Sequence, residues 1–244
     1  MKTIKRILIS IAGLLVLLII GFSIWAYTPA KPMQTALESA KSAEVLTLGS
    51  GSALVFKPWD GKMTTGLIFY PGGRVDYRAY SPMAEALAKE GFLVIIPRMP
   101  FNLAVFGYNE AEKYIQEYPM VENWVIGGHS LGGSMAAHYI FGHQQADYGL
   151  LLVASYPAGS DDLSDYAGSV YSIYASLDGL ATSEKIQNSR SLLPLNTEFI
   201  EISGGNHAQF GWYGKQSGDN DAVISREAQQ ELLLKAITKM LDAQ

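Results

Sequence analysis

Five consecutive residues, Gly128-His129-Ser130-Leu131-Gly132, form a glycine-x-serine-x-glycine motif. An apolar run of strand character precedes the motif, and a run of helical character over residues 134–141 follows it. A serine at such a sharp turn is held in a strained backbone conformation, and flanking glycines let the helix pass close to the strand. The motif also arises by chance in a chain with 24 glycines. Its placement predicts Ser130 as a nucleophile, with Gly128 and Gly132 shaping the turn.

A serine hydroxyl needs a neighbouring base, which is usually a histidine oriented by a carboxylate. Where the serine occupies a strand-to-helix turn, the acid and then the histidine follow it in the chain. The chain has four histidines. His129 is adjacent to the serine and is expected to point elsewhere, while His138 and His143 lie on or after the next helix. A loop histidine is often merely solvated, but His207, in a glycine-rich loop after the last predicted strand, is the predicted base.

The predicted acid is Asp178, because it follows the strand before that loop, in the segment Ala175-Ser176-Leu177-Asp178-Gly179. An aspartate beside a glycine is also common in ordinary turns. Glu184 is better explained as an acidic residue in the first turn of a helix. Three rivals in the same chain order precede the strand instead of following it: Asp161, Asp162 and Asp165.

Two backbone amides are expected to stabilise the oxyanion of a tetrahedral intermediate. The first would be the amide of Leu131. The second would come from Tyr70-Pro71-Gly72-Gly73-Arg74, whose glycines allow close approach of the backbone, and the candidates are Gly73 and Arg74. The same residues also fit an ordinary proline-glycine turn. Chemistry of this kind uses neither a metal nor a cofactor, so none is expected.

Apolar runs alternate with helical patterns from residue 66 onward, which predicts a parallel sheet covered by helices on both faces. A pair of strands joined by residues 49–52 precedes it. The predicted strands cover residues 45–48, 53–56, 66–70, 92–96, 123–127, 148–154, 169–175 and 196–202. Helices are predicted after Ser81 as a cap, at 110–118, at 134–141, from Thr182 to before Pro194, and at 224–241. Residues 156–168 are too few to insert a cap domain.

Residues 7–27 form an uncharged, mostly apolar stretch that is long enough, as a helix, to cross a hydrocarbon core of about 30 Å. Trp25 and Tyr27 at its end fit a membrane interface. Lys2, Lys5 and Arg6 precede it, so the rest of the chain is expected on the extracytoplasmic side.

A cleaved signal peptide is the alternative interpretation of this stretch. Signal sequences have shorter apolar regions, of about 7 to 15 residues, and the nearest cleavage site, Thr28-Pro29-Ala30, is poor. We therefore predict a retained membrane anchor over residues 1–30 and one α/β domain over residues 31–244.

The charge of the chain argues against nucleic-acid binding. Without the three basic residues before the apolar stretch, 15 basic residues face 23 acidic ones, a formal net charge of −8. Such a surface repels phosphate backbones. The chain has no cysteine, which excludes disulfides and thiolate metal sites.

Everything after the predicted anchor resembles the α/β-hydrolase superfamily. More narrowly, the chain resembles small bacterial hydrolases of the dienelactone-hydrolase-like kind, often membrane-anchored, which share segments like Gly204-Gly205-Asn206-His207-Ala208-Gln209-Phe210-Gly211 and Pro97-Arg98-Met99-Pro100-Phe101-Asn102-Leu103-Ala104. The resemblance implies Ser130 as nucleophile, His207 as base and Asp178 as acid. Dienelactone hydrolases proper use a cysteine nucleophile, so the serine here departs from their lactone chemistry.

These observations predict a serine hydrolase that acts on small carboxylic esters or thioesters through an acyl-enzyme. Its site is expected to be open and shallow, partly lined by Phe210, Trp212 and Tyr213. Two other functions fit the same pattern: a surface-displayed binding protein whose triad is vestigial, and an acyltransferase whose acceptor is not water.

Overall fold

One mixed sheet organises the chain. The computed structural model describes residues 2–49 and 51–244, without the side chains of residues 2–4. The predicted turn residue Ser50 and the side chain of Lys2 therefore lie outside the described part of the chain. The described strands are β1 (Glu44–Leu48), β2 (Gly51–Phe56), β3 (Thr65–Tyr70), β4 (Leu93–Pro97), β5 (Asn123–His129), β6 (Gly149–Val153), β7 (Val170–Ala175) and β8 (Glu198–Ile202). Their spatial order is β1-β2-β4-β3-β5-β6-β7-β8. The pairs β1–β2 and β2–β4 are antiparallel and the others are parallel, which confirms the predicted mostly parallel sheet.

Both faces of the sheet are buried, because successive side chains of a strand point to opposite faces. On β3, Leu67 and Phe69 join one apolar cluster, while Ile68 and Tyr70 join the other. An all-apolar run such as β3 is therefore what a central parallel strand requires.

Helices cover the two faces as the alternating pattern predicts. They are α1 (Lys2–Ala26), α2 (Gln34–Ser39), α3 (Ser81–Lys89), α4 (Glu110–Glu117), α5 (Leu131–Phe141), α6 (Ser183–Ser189) and α7 (Arg226–Asp242). The α3 and α7 side chains pack in the cluster of Leu67, and those of α4 and α5 in the cluster of Ile68.

The cap predicted at Ser81 is wrong. A short 3-10 turn over Tyr77–Tyr80 leads directly into α3, so Ser81 is the first helical residue and makes no capping bond. Thr182 does cap α6, since its hydroxyl accepts a hydrogen bond from the Lys185 amide.

The carboxyl-terminal ends of the parallel strands carry no inserted cap. Between β6 and β7, residues 154–169 contain neither helix nor strand, as their number predicts. The loops at this edge are therefore the ones that shape the site.

The amino-terminal helix α1 contains the 22-residue stretch Lys5–Ala26, which is long and apolar enough to cross a membrane. In the most apolar part of this stretch, no residue is buried in the protein. The segment after it runs along two loops of the α/β domain. Ala30 forms a parallel bridge with Val75, and Pro32 forms an antiparallel bridge with Tyr213. Contacts thus cross the boundary predicted between residues 30 and 31.

Candidate active site

The turn between β5 and α5 places Ser130 in a backbone conformation that is rare for a residue with a side chain, at φ 55° and ψ −123°. The amide of Ser130 donates to the Val153 carbonyl at 2.9 Å, which ties the turn to β6. A Cβ at Gly132 or at Gly128 would overlap the carbonyl oxygen of Tyr70. The two motif glycines are therefore required by the close approach of α5 to the end of β3.

The loops after β7 and β8 bring Asp178 and His207 together. His207 Nδ1 lies 2.7 Å from Asp178 Oδ2, and both side chains are almost completely buried. A carboxylate only accepts hydrogen bonds, so the Nδ1 proton of His207 donates to Asp178 and a neutral ring then has a free lone pair on Nε2. The other carboxylate oxygen accepts from the amides of Leu180 and Ala181, each at 2.7 Å, which fixes its orientation.

Asp219 holds the base loop and the acid loop against each other. Its carboxylate accepts hydrogen bonds from the amides of His207, at 3.2 Å, and of Ala208, at 2.9 Å. It also accepts from the amide of Gly179, next to Asp178, at 3.1 Å. Asp219 stands in a turn, where an aspartate is common, so the sequence offered no signal for this role.

The side chain of Gln229 on α7 is the second support of the base loop. Its amide group donates to the Asn206 carbonyl at 2.8 Å and accepts from the Asn206 amide at 3.0 Å. Gln229 is fully buried, so these bonds also satisfy a side chain that water cannot reach.

The hydroxyl of Ser130 and the Nε2 atom of His207 do not bond to each other. Within the described part of the chain, Nε2 is buried and has no hydrogen-bond partner, and the partly exposed Ser130 hydroxyl makes no hydrogen bond either. The structure thus places the predicted acid and the predicted base in contact, while the described residues show no bond between His207 and Ser130. Such contacts often tighten only when a substrate is bound.

His129 lies in the site, so the expectation that it points elsewhere is wrong. Its ring centroid is 4.5 Å from that of His207, and its Nδ1 lies 2.9 Å from the hydroxyl of Tyr80. That hydroxyl accepts a hydrogen bond from the Gly72 amide at 3.0 Å, which leaves its own proton for His129. Burial, and then the neighbouring His207, lower the pKa of His129 well below its usual range. His129 is therefore a neutral ring whose accepting nitrogen is occupied, and His207 is the better-placed base.

Two amides near the serine are unoccupied among the described residues: those of Leu131 and Gly73. A Cβ built on Gly73 would lie 3.0 Å from the Leu131 side chain, so the two residues are in contact. The Arg74 amide donates to the Asn102 carbonyl at 2.8 Å and cannot also bind an oxyanion, which corrects the inclusion of Arg74 among the donors. Its guanidinium also binds the chain after α1, at the carbonyl of Thr28.

The rival acids lie outside this arrangement. Asp161 pairs with His138 at 3.1 Å, and Asp162 accepts from the Ser164 amide. Asp165 is exposed, and Glu184 lies in the first turn of α6 as predicted.

Two of the three aromatic residues expected to line the site support it from behind. Phe210 and Tyr213 are buried, and their rings lie 5.9 and 6.3 Å from that of His129. They therefore pack the base loop against the serine turn.

A sequence model of an alpha/beta hydrolase family matches residues 66–231, which include the serine turn and both loops of the acid and the base. The chain belongs to this alpha/beta hydrolase family. The match covers about two thirds of the chain. No curated protein matches the chain in sequence. The narrower resemblance to dienelactone-hydrolase-like proteins stays a prediction.

Solved structures share the fold of this alpha/beta hydrolase at low sequence identity. The esterase Est2 of the planctomycete Thermogutta terrifontis superposes with a TM-score of 0.60 at 14% identity, over 84% of this chain and 93% of its own. Its propionate-bound form has a TM-score of 0.61 at 14% identity, with 82% and 95% covered. Est1E from Butyrivibrio proteoclasticus has a TM-score of 0.59 at 12% identity, with 83% and 100% covered.

Proposed function

We propose that the protein is a serine hydrolase that cleaves carboxylic esters or thioesters through an acyl-enzyme. Ser130 is the nucleophile, His207 the base and Asp178 the acid. The observation that carries this proposal is the buried His207–Asp178 hydrogen bond beside a strained serine turn. The second imidazole nitrogen of His207 has no hydrogen-bond partner among the described residues.

The reaction follows from these positions. The hydroxyl oxygen of Ser130 attacks the ester carbonyl while Nε2 of His207 takes the hydroxyl proton. The amides of Leu131 and Gly73 bind the resulting oxyanion. The protonated His207 then gives its proton to the leaving alcohol or thiol, and the acyl group stays on Ser130. His207 then takes a proton from water, whose oxygen attacks the acyl carbonyl, and gives that proton to the Ser130 oxygen as the carboxylic acid leaves.

Structural neighbours support the choice of probe. Thermogutta terrifontis esterase 2 is known phosphorylated by paraoxon, in a form that superposes on this chain with a TM-score of 0.58 at 14% identity. We expect the full-length chain to react in the same way at Ser130, because an organophosphate mimics the tetrahedral intermediate.

The test is covalent labelling of the full-length chain, purified in detergent, with a fluorophosphonate. Ser130→Ala should abolish the mass increase of the labelled chain. Ser134→Ala is the matched control, since Ser134 lies on α5 and its hydroxyl donates to the Tyr156 carbonyl; this variant should label like the unmodified chain. A folded chain that does not label, or equal labelling of the Ser130→Ala variant, would overturn the proposal.

The helix α1 is proposed to remain attached as a membrane anchor over residues 1–30, with the domain of residues 31–244 on the extracytoplasmic side. Its stretch Lys5–Ala26 is long and apolar enough to span a membrane. The end of the helix is also integrated into the domain, because Asn102 donates to the Ala26 carbonyl at 3.0 Å. Removal of the helix would break this contact. The intact mass of the chain purified from membranes tests the anchor, and a mass that lacks the helix would contradict it.

A further inference from the structure

The last turn of α1 rests directly on the loop that supplies the proposed oxyanion donor. The Arg74 guanidinium donates to the carbonyl of Trp25 at 2.9 Å and to that of Thr28 at 3.0 Å, and it lies over the Trp25 ring at 4.3 Å. The final carbonyls of a helix have no partners within the helix, and a cation near them is favourable. Arg74 thus caps the anchor helix, and the position of the helix end and that of the oxyanion loop are linked.

A second loop, residues 99–107, also contacts the end of α1. The Phe22 ring lies 5.7 Å from that of Phe101 and 6.3 Å from that of Phe106, and Tyr27 lies 5.6 Å from Phe101. We call the rings of Phe22, Trp25, Tyr27, Phe101 and Phe106 the aromatic cluster. Although these rings contact one another, Phe106 is 54% exposed and the neighbouring Val105 is 47% exposed. A contiguous apolar surface of this kind normally marks a contact with another apolar phase.

The length of α1 sets the depth of the aromatic cluster. The 22 residues Lys5–Ala26 form a helix about 33 Å long, which matches a hydrocarbon core of about 30 Å. With α1 across the membrane, its last turn lies at the interface, where aromatic rings are favoured. Phe101 and Phe106 contact this turn and must lie at the same depth.

The loop 99–107 also contacts the loop that supplies the proposed oxyanion donor. The Leu103 side chain comes within 3.7 Å of a Cβ built on Gly73, and the Asn102 carbonyl accepts from the Arg74 amide. A cleft of about 340 Å³ reaches Gly73 and is also lined by Ala30, four residues beyond the helix. The loop of Gly73 and Arg74 therefore contacts both the end of α1 and the loop 99–107.

We propose that the active site opens onto the bilayer surface, with Val105 and Phe106 inserted in the interface, and that its substrates are acyl esters of amphiphiles embedded in the adjacent leaflet. This inference rests on the serine hydrolase function and the anchor proposed above. The acyl ester of such an amphiphile lies at the interface, at the depth of the aromatic cluster, so it reaches Ser130 without leaving the membrane. A freely soluble ester gains nothing from this arrangement.

The depth of the loop can be measured without any catalysis, because the chain contains no cysteine. The full-length Phe106→Cys variant is labelled with an environment-sensitive fluorophore and reconstituted in phosphatidylcholine nanodiscs. We expect a blue-shifted emission that is quenched by lipids brominated near the top of the acyl chain and protected from aqueous iodide.

Trp59→Cys is the matched control for this measurement, since Trp59 is 92% exposed. Trp59 follows β2, and the end of β2 pairs with the start of β4, so Trp59 lies near the amino-terminal ends of the parallel strands, away from the site. Its label should be quenched by iodide only. Equal iodide quenching at the two positions would overturn the inference. A label at position 106 that neither bromolipid nor iodide reaches would also overturn it, and would indicate a second protein chain on this surface.

The substrate class is tested with two fluorogenic esters, a water-soluble acetate and a long-chain acyl ester dissolved in the nanodisc. Replacing both Val105 and Phe106 by serine should lower the rate on the bilayer ester at least about fivefold and leave the rate on the acetate within about twofold. Leu195→Ser is the control, because Leu195 is fully exposed. It precedes β8 and therefore lies near the amino-terminal ends of the parallel strands, away from the site.

The outcomes separate the two proposals. If Ser130→Ala leaves hydrolysis of both esters unchanged, or if the chain hydrolyses neither, the proposed function fails, and the substrate class fails with it. If hydrolysis of the acetate depends on Ser130 but the bilayer ester is not cleaved, or the double variant loses both activities equally, the proposed function stands and the membrane-facing site is wrong.

Discussion

The base side and the nucleophile side of the site are held in place in different ways. On the base side, Asp178 and His207 bond to each other, and Asp219 and Gln229 bond the backbone around them. On the nucleophile side, the Ser130 hydroxyl and the nearby amides of Leu131 and Gly73 make no hydrogen bond among the described residues. The turn itself is held by bonds of the Ser130 backbone to Val153 and Ser155, and by the steric fit of the glycines under it.

This difference corresponds to the two tasks of the site. The base must have one tautomer and one orientation before any substrate arrives, so its polar groups are already bonded. In the proposed reaction the hydroxyl attacks a substrate carbonyl and the two amides bind its oxygen, and groups that are already bonded would have to break those bonds first. The unbonded groups are therefore the ones that a tetrahedral intermediate would satisfy.

The largest effect is expected from Asp178→Asn, which breaks the base side at its central bond. The amide oxygen can still accept from Leu180 and Ala181, but the amide nitrogen then faces His207 Nδ1 and forces the imidazole proton onto Nε2. A base in the wrong tautomer should lower kcat about 10⁴-fold. Ester hydrolysis and the thermal unfolding temperature are measured together. A loss of less than about tenfold with an unchanged unfolding temperature would contradict the role of Asp178.

Gly132→Ala tests whether the nucleophile side is held by steric fit. The new methyl group would overlap backbone carbonyls of Tyr70 and Pro71, which cannot move without disturbing β3. We expect the free energy of unfolding to fall by about 3 kcal/mol or more. Gly142→Ala, at the end of the same helix, is the control, because the nearest atom to its Cβ is 3.5 Å away. Equal stability of the two variants, measured by denaturant unfolding, would argue against a steric role for Gly132.

Asp219→Asn removes one link between the two loops of the base side. An amide nitrogen would face backbone N–H groups that now donate to a carboxylate, so His207 should shift. We expect the misplaced base to lower kcat by roughly 10- to 100-fold, with a smaller change in KM. Asp221→Asn is the control, since Asp221 is exposed and pairs with the exposed side chain of Lys215. A change confined to KM, or equal effects of the two substitutions, would show that Asp219 does not position the base.

The smallest effect concerns His129, which lies between the two sides. Its pKa is lowered in the folded protein by burial, and the unfolded value is about 6.5. Below pH 6.5 the unfolded chain binds a proton at His129 that the folded chain does not, so stability falls as the pH falls towards the folded-state pKa. This contribution amounts to roughly 1 kcal/mol per pH unit within that window.

His129→Gln should lack this contribution. The difference in unfolding free energy between the unmodified chain and the variant should therefore shift in favour of the variant between pH 6.5 and pH 5.5, and stay constant between pH 8 and pH 7. Denaturant unfolding at the four pH values measures it. A difference that is constant over the whole range would show that His129 takes up a proton in the folded protein.

The sheet and the serine turn could be predicted from the sequence because local patterns determine them. An all-apolar run such as Leu67 to Phe69, between helical segments, indicates a buried strand. A serine between two glycines at the end of a strand indicates a sharp strand-to-helix turn. The acid and the base were predicted from chain order, and the structure places Asp178 and His207 in contact.

The supports of the site could not be predicted in this way. Asp219 and Gln229 act through bonds to distant backbone groups, which a sequence pattern does not record. The direction of the His129 side chain depends on the geometry of the turn, and the Arg74 amide is occupied because the Asn102 carbonyl happens to lie beside it. The position of α1 on the domain likewise depends on tertiary contacts.

The pairing of residues 30–33 with two site loops has a practical consequence for protein engineering. The Ala30 amide donates to the Arg74 carbonyl at 2.7 Å, and the Ala30 carbonyl accepts from the Asp76 amide at 3.1 Å. A soluble fragment that starts at Met33 would lose both bonds and expose the rim of the site to the crystallisation solution. Fragments designed for crystallography or screening should instead start at Tyr27. Such fragments keep this backbone pairing and omit the apolar helix α1.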